Sequence, residues 1–496
     1  MTDAATLVEA VRSHADAMLE HGRDRFGTVE TPLLVDGVDP AAGEPVARDE
    51  RDVGEGRRLS NFAVQQPFLR ALMGLSETTG DARYRDAAAE VTEFALAELA
   101  GPSGLLHWGG HVAYDVDDDA VATKKGGPHE LKWDYPFYEF LWDVDADATR
   151  RFVEAFWAAH VLDWDRLDFN RHGGWGPDTA GVWDRDYAGG DVFFWGDGLT
   201  FVNTGSDLYY AAGLLSALDG DDAPRRWAER LAERYVETRG ETGISGYQFS
   251  QHPSWCNGPE IRGDRAQYQF APYIHGDHRV FEGTLFRPRP VVQRRQLELG
   301  AKLGAERFTE WAVEELQAWA GTYRPAENDF EPMLTDGYSL EGFVIRREGY
   351  FGPKGRVIGP IEADAGFLWA YALAARRTGD ETCQKMCRHL AAGLGLCDDD
   401  GRPRTDHDLS DYRAVHAALE RYRDTGRAGY LGAAARVGEN VLDERFADGA
   451  FVDEAGVASL GDPTPLALLH LAAALEGESP DALPTQTSGE SPAGGV

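Results

Sequence analysis

Lysine is nearly missing from this chain: Lys124, Lys125, Lys132, Lys302, Lys354 and Lys385 are the full set in 496 residues. Arginine carries most of the positive charge, and acids outnumber bases 84 to 49, for a formal net charge of -35. That imbalance argues against nucleic acid and anionic membranes as partners. Screening by concentrated salt would relieve the self-repulsion, so the profile reads as halophilic, of the haloarchaeal kind. Cysteine is limited to Cys256, Cys383, Cys387 and Cys397. No disulfide framework is expected from so few, and Cys383 and Cys387, four apart, read as small apolar residues on one helix face. The N-terminus lacks a basic n-region, a twin arginine and an apolar h-region, so it shows no export signal and the expected location is cytoplasmic. No apolar run is long enough to cross a bilayer.

Helix pairs are abundant. Hydrophobic residues make up 43% of the chain, enough for a sizeable core. One unit recurs: a helix, a Gly-containing turn and a second helix. It appears in NFAVQQPFLRALMGLSETTGDARYRDAAAEVTEFALAELAG, in RRQLELGAKLGAERFTEWAVEELQAWAG and in GFLWAYALAARRTGDETCQKMCRHLAAGLG. Looser copies start at Asp207 and Val415. A hairpin with one apolar face cannot bury that face alone, so the hairpins must pack side by side. The expected fold is all-α, an (α/α)-barrel in a single domain over residues 1–476. Residues 477–496, rich in Pro, Gly and Ser, read as an unstructured tail. Long loops at 101–146, 165–204, 241–290 and 325–362 separate the hairpins, and loops of that length are usually functional.

Those loops combine Trp and Tyr with Asp, Asn, Gln and Gly, which suits sugar rings with apolar faces and polar rims. Trp108, Trp175, Trp183 and Trp195, flanked by glycine, are expected in a cleft; Trp142, Trp157 and Trp164 fall on helical runs and read as core. Polar residues concentrate between Leu106 and Gly176. His111 follows a Gly-Gly turn. Pro128 would open a helix that places Glu130 in its first turn, with Asp134 on the same face. Arg171 and His172 follow the helix RRFVEAFWAAHV. Two imidazoles and a carboxylate make a candidate divalent-cation set in His111, Glu130 and His172; His129 and His160 read as packing histidines.

The runs LLHWGGH, HELKWDYPFYEFLW, RRFVEAFWAAHV and NRHGGW resemble the (α/α)-barrel pectate lyases of polysaccharide lyase family 2, over residues 60–200. The resemblance implies β-elimination on polygalacturonate or oligogalacturonate, an acidic substrate. It implies a transition-metal ion, Mn²⁺, Co²⁺ or Ni²⁺, held by two histidines and a glutamate, with an arginine as base. Carried over, Glu130 is the glutamate, His172 the second histidine and Arg171 the base; the first histidine is His111, with His107 as the fallback. A guanidinium is a poor base unless a nearby cation disfavours its charge; the alternative role for Arg171 is a bidentate carboxylate clamp. Lys132, Asp134 and Tyr135 are expected to contact substrate. Arg279 is a further clamp, with Arg262, Arg265 and Arg287 as similar candidates. Three other readings stay open. One is a glycoside hydrolase of the unsaturated-uronyl type, for which Asp134, Asp186, Asp197, Asp207 and Asp364 are available. The others are a sugar epimerase and a non-catalytic carbohydrate-binding toroid.

Overall fold

The computed structural model describes residues 2–50, 54–123, 128–131, 135–190, 200–237, 242–245, 248–249, 290–333, 355–398 and 400–486, with single positions at Arg239, Gly337, Ser339, Glu341, Gly342 and Val344. Lys132, Asp134, Trp195, Asp197, Arg262, Arg265, Arg279, Arg287 and Cys256 lie outside the described residues. The expected all-α (α/α) class is what the chain adopts. Among the described residues the helices are α1 (Ala4–His21), α2 (Gln66–Thr79), α3 (Ala82–Glu98), α4 (Tyr138–Val144), α5 (Ala146–His160), α6 (Val202–Asp219) and α7 (Asp222–Glu237). They continue with α8 (Pro290–Leu303), α9 (Glu306–Ala320), α10 (Ala365–Thr378), α11 (Glu381–Gly393), α12 (Tyr412–Thr425), α13 (Ala428–Arg445) and α14 (Thr464–Leu475). The described strands are two to four residues long and form sheets of only two or three strands, some joining distant parts of the chain, as Gly37–Val38 with Ala458–Ser459.

The recurrent turn has a local cause. Thr79-Gly80-Asp81 ends α2 with Gly80 in the left-handed region (φ +71°), and the Asp81 side chain accepts the Arg83 N–H to open α3. Thr378-Gly379-Asp380 repeats this, with Gly379 at φ +71° and Asp380 accepting the Cys383 N–H. Glycine alone takes that φ freely, and each Asp cap contributes about 1 kcal/mol.

The chain forms two compact units: residues 1–130, 134–152 and 394–495, and residues 131–133 and 153–393. Within the first, α14 packs against α1, α2 and α12, while α3 covers α2 and α13 covers α12. The sequence of α14, TPLALLHLAAAL, is apolar on nearly every side, as a helix enclosed by others must be, and every residue is buried except His470 and Leu475, which are largely covered. Within the second, α8 packs against α6, α9 and α10, and α7, α9 and α11 form the outer members of their pairs. Every residue from Pro290 to Gly300 on α8 is buried. Two of its arginines have partners in place: Arg295 pairs with Glu298 at 2.5 Å, and the Arg294 guanidinium lies 3.5 Å over the Trp369 ring.

Two expectations are corrected. Residues 477–486 do not belong to an unstructured tail. The Gln486 side chain is buried and donates to the Pro463 carbonyl (3.1 Å), Thr485 O accepts from Arg70 (3.0 Å), and Pro484 O lies 2.9 Å from His470 Nε2. Polar anchors on distant α2, on the neighbouring α14 and just before it fix a segment whose own composition looks unstructured. Glu130 also does not open a helix. It sits in a short strand, His129–Glu130, and the next helix begins at Tyr138.

Candidate metal centre and active site

The loop before His111 is held from α2's entry. Gly109, at φ +103°, is bound in both directions by Asn61: Asn61 Nδ2 donates to Gly109 O (2.8 Å), and Gly109 N–H donates to Asn61 Oδ1 (3.2 Å). Trp108 Nε1 donates to His129 Nε2 at 2.9 Å, which fixes His129 as an acceptor and a scaffold residue. The strand Val112–Asp115 follows, pairing with Leu59–Ser60 and Ala120–Thr123. His111 Nε2 thereby comes to 3.4 Å from Glu130 Oε2. The Glu130 side chain is only 2% exposed, and a buried carboxylate needs positive charge or strong donors around it.

Arg171 and His172 are placed by the end of α5. His160 is buried, its Nδ1 lying 2.8 Å from Asn170 O and its ring edge-on to Phe156. The strands Val161–Asp163 and Asp168–Phe169 form a hairpin that returns the chain to Asn170. Asn170 Oδ1 then accepts the His172 N–H (2.9 Å), and Leu131 N–H donates to Arg171 O (2.7 Å). Gly173 is required by contact: a Cβ there would lie 2.9 Å from both Ala159 O and His160 Nε2. Arg171 Nε donates to His172 Nε2 at 3.1 Å, so the guanidinium lies alongside that imidazole.

One ligand atom from each of His111, Glu130 and His172 lies within 4.8 Å of the others. Two imidazole nitrogens and a carboxylate oxygen at that spacing suit a divalent transition metal, with positions left for substrate oxygens. The fallback His107 is differently engaged, its Nδ1 lying 2.9 Å from Leu99 O.

The aromatic expectations divide. Trp108 is corrected to core: it is buried, stacked on Phe62 (5.6 Å) and edge-on to Phe152 (5.1 Å), leaving no face for a sugar. Tyr135 is corrected likewise. It is fully buried at φ +45°, and its carbonyl accepts from Arg70 (2.9 Å). Trp183 is half-buried in a cluster with Trp157 and Trp227, its carbonyl accepting from Trp227 Nε1 (2.9 Å). Trp157 is core, as expected, and Trp164, half-buried, stacks on it at 6.0 Å. Trp175 is half-buried beyond Gly173. Asn61, Asn170 and Gly173 were missed by the sequence reading. Asn61 lies far in sequence from the loop it binds and gave no local signal, whereas Asn170 and Gly173 flank Arg171–His172 directly and could have been found there.

The sequence profile described as "Periplasmic pectate lyase" matches residues 31–495. A protein described as pectate disaccharide-lyase, from Dickeya dadantii (strain 3937), is 34% identical over 395 residues, covering 73% of this chain and 70% of its own. Solved structures also align. A sugar epimerase from a ruminal bacterium has a TM-score of 0.44 at 12% identity, covering 96% of this chain and 99% of its own. A cellobiose 2-epimerase from Bacillus thermoamylovorans has a TM-score of 0.45 at 10% identity, covering 96% and 99%. The cytoplasmic expectation is corrected by the family description, which is of periplasmic enzymes; that expectation rested on a missing leader pattern, which is weak ground for a location. No helix among the described residues is long and apolar enough to cross a membrane. With the profile spanning nearly the whole sequence and a relative at this identity, the chain belongs to the periplasmic pectate lyase family.

Proposed function

We propose that this lyase cleaves polygalacturonate or oligogalacturonate, or a related uronan, by metal-assisted β-elimination. The observation that carries the reading is the convergence of His111, Glu130 and His172 within 4.8 Å, with Arg171 Nε 3.1 Å from His172. His111, Glu130 and His172 would hold Mn²⁺, Co²⁺ or Ni²⁺. Bound there, the ion supplies Lewis-acid stabilisation of the charge that develops on the uronate carboxylate.

The chain's own groups do the rest. Arg171 takes the C5 proton, entering the step as the neutral guanidine. The C5–H electron pair becomes the C4–C5 double bond, and the C4–O4 bond breaks with its electron pair going to O4, which takes a proton from solvent water and leaves as a hydroxyl. Asn170 holds the backbone between α5 and His172, which keeps the guanidinium and the imidazole side by side. Trp175 and Trp183 offer aromatic surface to the sugar chain, and Lys132, Asp134, Trp195 and Arg279 are further substrate contacts in this reading. The acidic, lysine-poor composition supports activity in concentrated salt.

The test is ultraviolet absorbance of the product with polygalacturonate and other uronans. A lyase creates a conjugated C4–C5 double bond, whereas an unsaturated-uronyl hydrolase consumes one. An epimerase would leave absorbance unchanged, and a binding toroid would bind without turnover.

A further inference from the structure

Resting on the metal reading above, we infer that Asn61 is a positioning residue for the metal centre, acting through Gly109. Asn61 touches neither Glu130 nor His111 in any contact described above. Its amide instead closes a two-way bond with the Gly109 backbone, Nδ2 to O at 2.8 Å and N to Oδ1 at 3.2 Å. The pair fixes which amide atom is which: the nitrogen faces a carbonyl and the oxygen faces N–H groups, including that of Ala63 (3.2 Å). Asn61 is itself anchored, its N–H donating to Asp36 Oδ1 at 2.8 Å.

Gly109 sits where the two ligands of this half of the site meet. His111 follows it by two positions. On the other side, a Cβ at Gly109 would lie 3.3 Å from the Glu130 carbonyl oxygen, so the turn rests directly on the Glu130 backbone. At φ +103° that turn is one only glycine adopts without strain. A turn in such a conformation needs outside restraint to hold one geometry, and Asn61 supplies it. The consequence is a fixed spacing between His111 Nε2 and Glu130 Oε2, 3.4 Å here. Groups that orient ligands from behind typically carry 10–100-fold in metal affinity.

The experiment uses the full chain and titrates Mn²⁺ calorimetrically after chelation, alongside thermal midpoints. Asn61→Ala and Gly109→Ala are the test variants. Asn440→Ala is the control, because Asn440 makes a comparable clamp elsewhere, Nδ2 donating to His407 O and Leu409 O at 2.9 Å each. Asn61→Ala and Gly109→Ala should weaken Mn²⁺ binding by roughly 10–100-fold. Raised metal should then restore their turnover. Asn440→Ala should lower the thermal midpoint and leave Mn²⁺ affinity unchanged. Should Asn61→Ala fail to fold, Asn61→Asp, which keeps the Oδ1 acceptor and removes the Nδ2 donor to Gly109 O, carries the test. Mn²⁺ affinity within twofold of wild type in the folded variants would overturn the role of Asn61 while leaving the metal reading intact. A wild-type chain that takes up no Mn²⁺, Co²⁺ or Ni²⁺ would overturn both.

Discussion

Lowering the pH should destabilise this protein through two histidines remote from the metal centre. His14 on α1 is fully buried, edge-on to Phe68 and Phe451, with Nδ1 accepting the Phe451 N–H (3.3 Å). Burial pushes its pKa down to about 4, with Asp462 opposing and Arg445 reinforcing the shift. His470 on α14 is also pushed down to about 4 by burial, against a raising contribution from its bond to Pro484 O. In the unfolded chain both titrate near 6.5. The folded state therefore binds fewer protons than the unfolded state between about pH 6.5 and 4, and stability falls as pH falls through that window. Each histidine contributes about 2–3 kcal/mol of loss by pH 4.5, taking roughly 1.4 kcal/mol per pKa unit. The assay is denaturant unfolding at pH 7.5 and 4.5, in high salt. His14→Asn keeps an acceptor for Phe451 N–H, and His470→Gln keeps a donor for Pro484 O, so each removes the titration while preserving the bond. The double variant should flatten the pH dependence by several kcal/mol, by the same linkage. An unchanged pH dependence in the double variant would refute the reasoning.

Other outcomes follow from the same structure. Exhaustive chelation should abolish turnover and added Mn²⁺, Co²⁺ or Ni²⁺ should restore it, read by product absorbance; persistent activity would remove the metal from the mechanism. Arg171→Ala should lower kcat by at least about 100-fold, the scale of a positioned proton-transfer group, with an unchanged thermal midpoint because Arg171 lies between short strands. Gly173→Ala forces its Cβ to 2.9 Å from Ala159 O and His160; overpacking should cost about 1–3 kcal/mol and weaken metal binding with it. Truncation before Pro484 removes acceptors for Arg70 and His470 and the buried Gln486. The thermal midpoint should fall by about 1 °C per kcal/mol lost in a chain this long, so by roughly 2–4 °C for a loss of a few kcal/mol.

The hairpins were legible because their signals are local. Gly80 and Asp81, or Gly379 and Asp380, end one helix and start the next with their own backbone and side chains, and α14 shows its burial in its composition. The four residues of the proposed catalytic set stood out through resemblance and residue type. The choice between His107 and His111 depended on the fold, since only a structure shows His107 turned to the Leu99 carbonyl. Trp108 misled because its flanking glycines suggested a cleft, and Tyr135 was expected to contact substrate, but Phe62, Phe152 and Arg70, distant in sequence, pack against or bind them. Glu130 was misplaced on a helix because Pro128 is a fair helix opener, whereas His129 and Glu130 form a short strand and the next described helix begins at Tyr138.

The central claim is that metal held by His111, Glu130 and His172 serves a uronan lyase. It is tested most directly by following product absorbance on polygalacturonate with metal-free enzyme, then with Mn²⁺ added, for wild type and Glu130→Ala. Absorbance should rise only in the wild type with metal. A rise in metal-free enzyme, or an equal rise in Glu130→Ala, would contradict it.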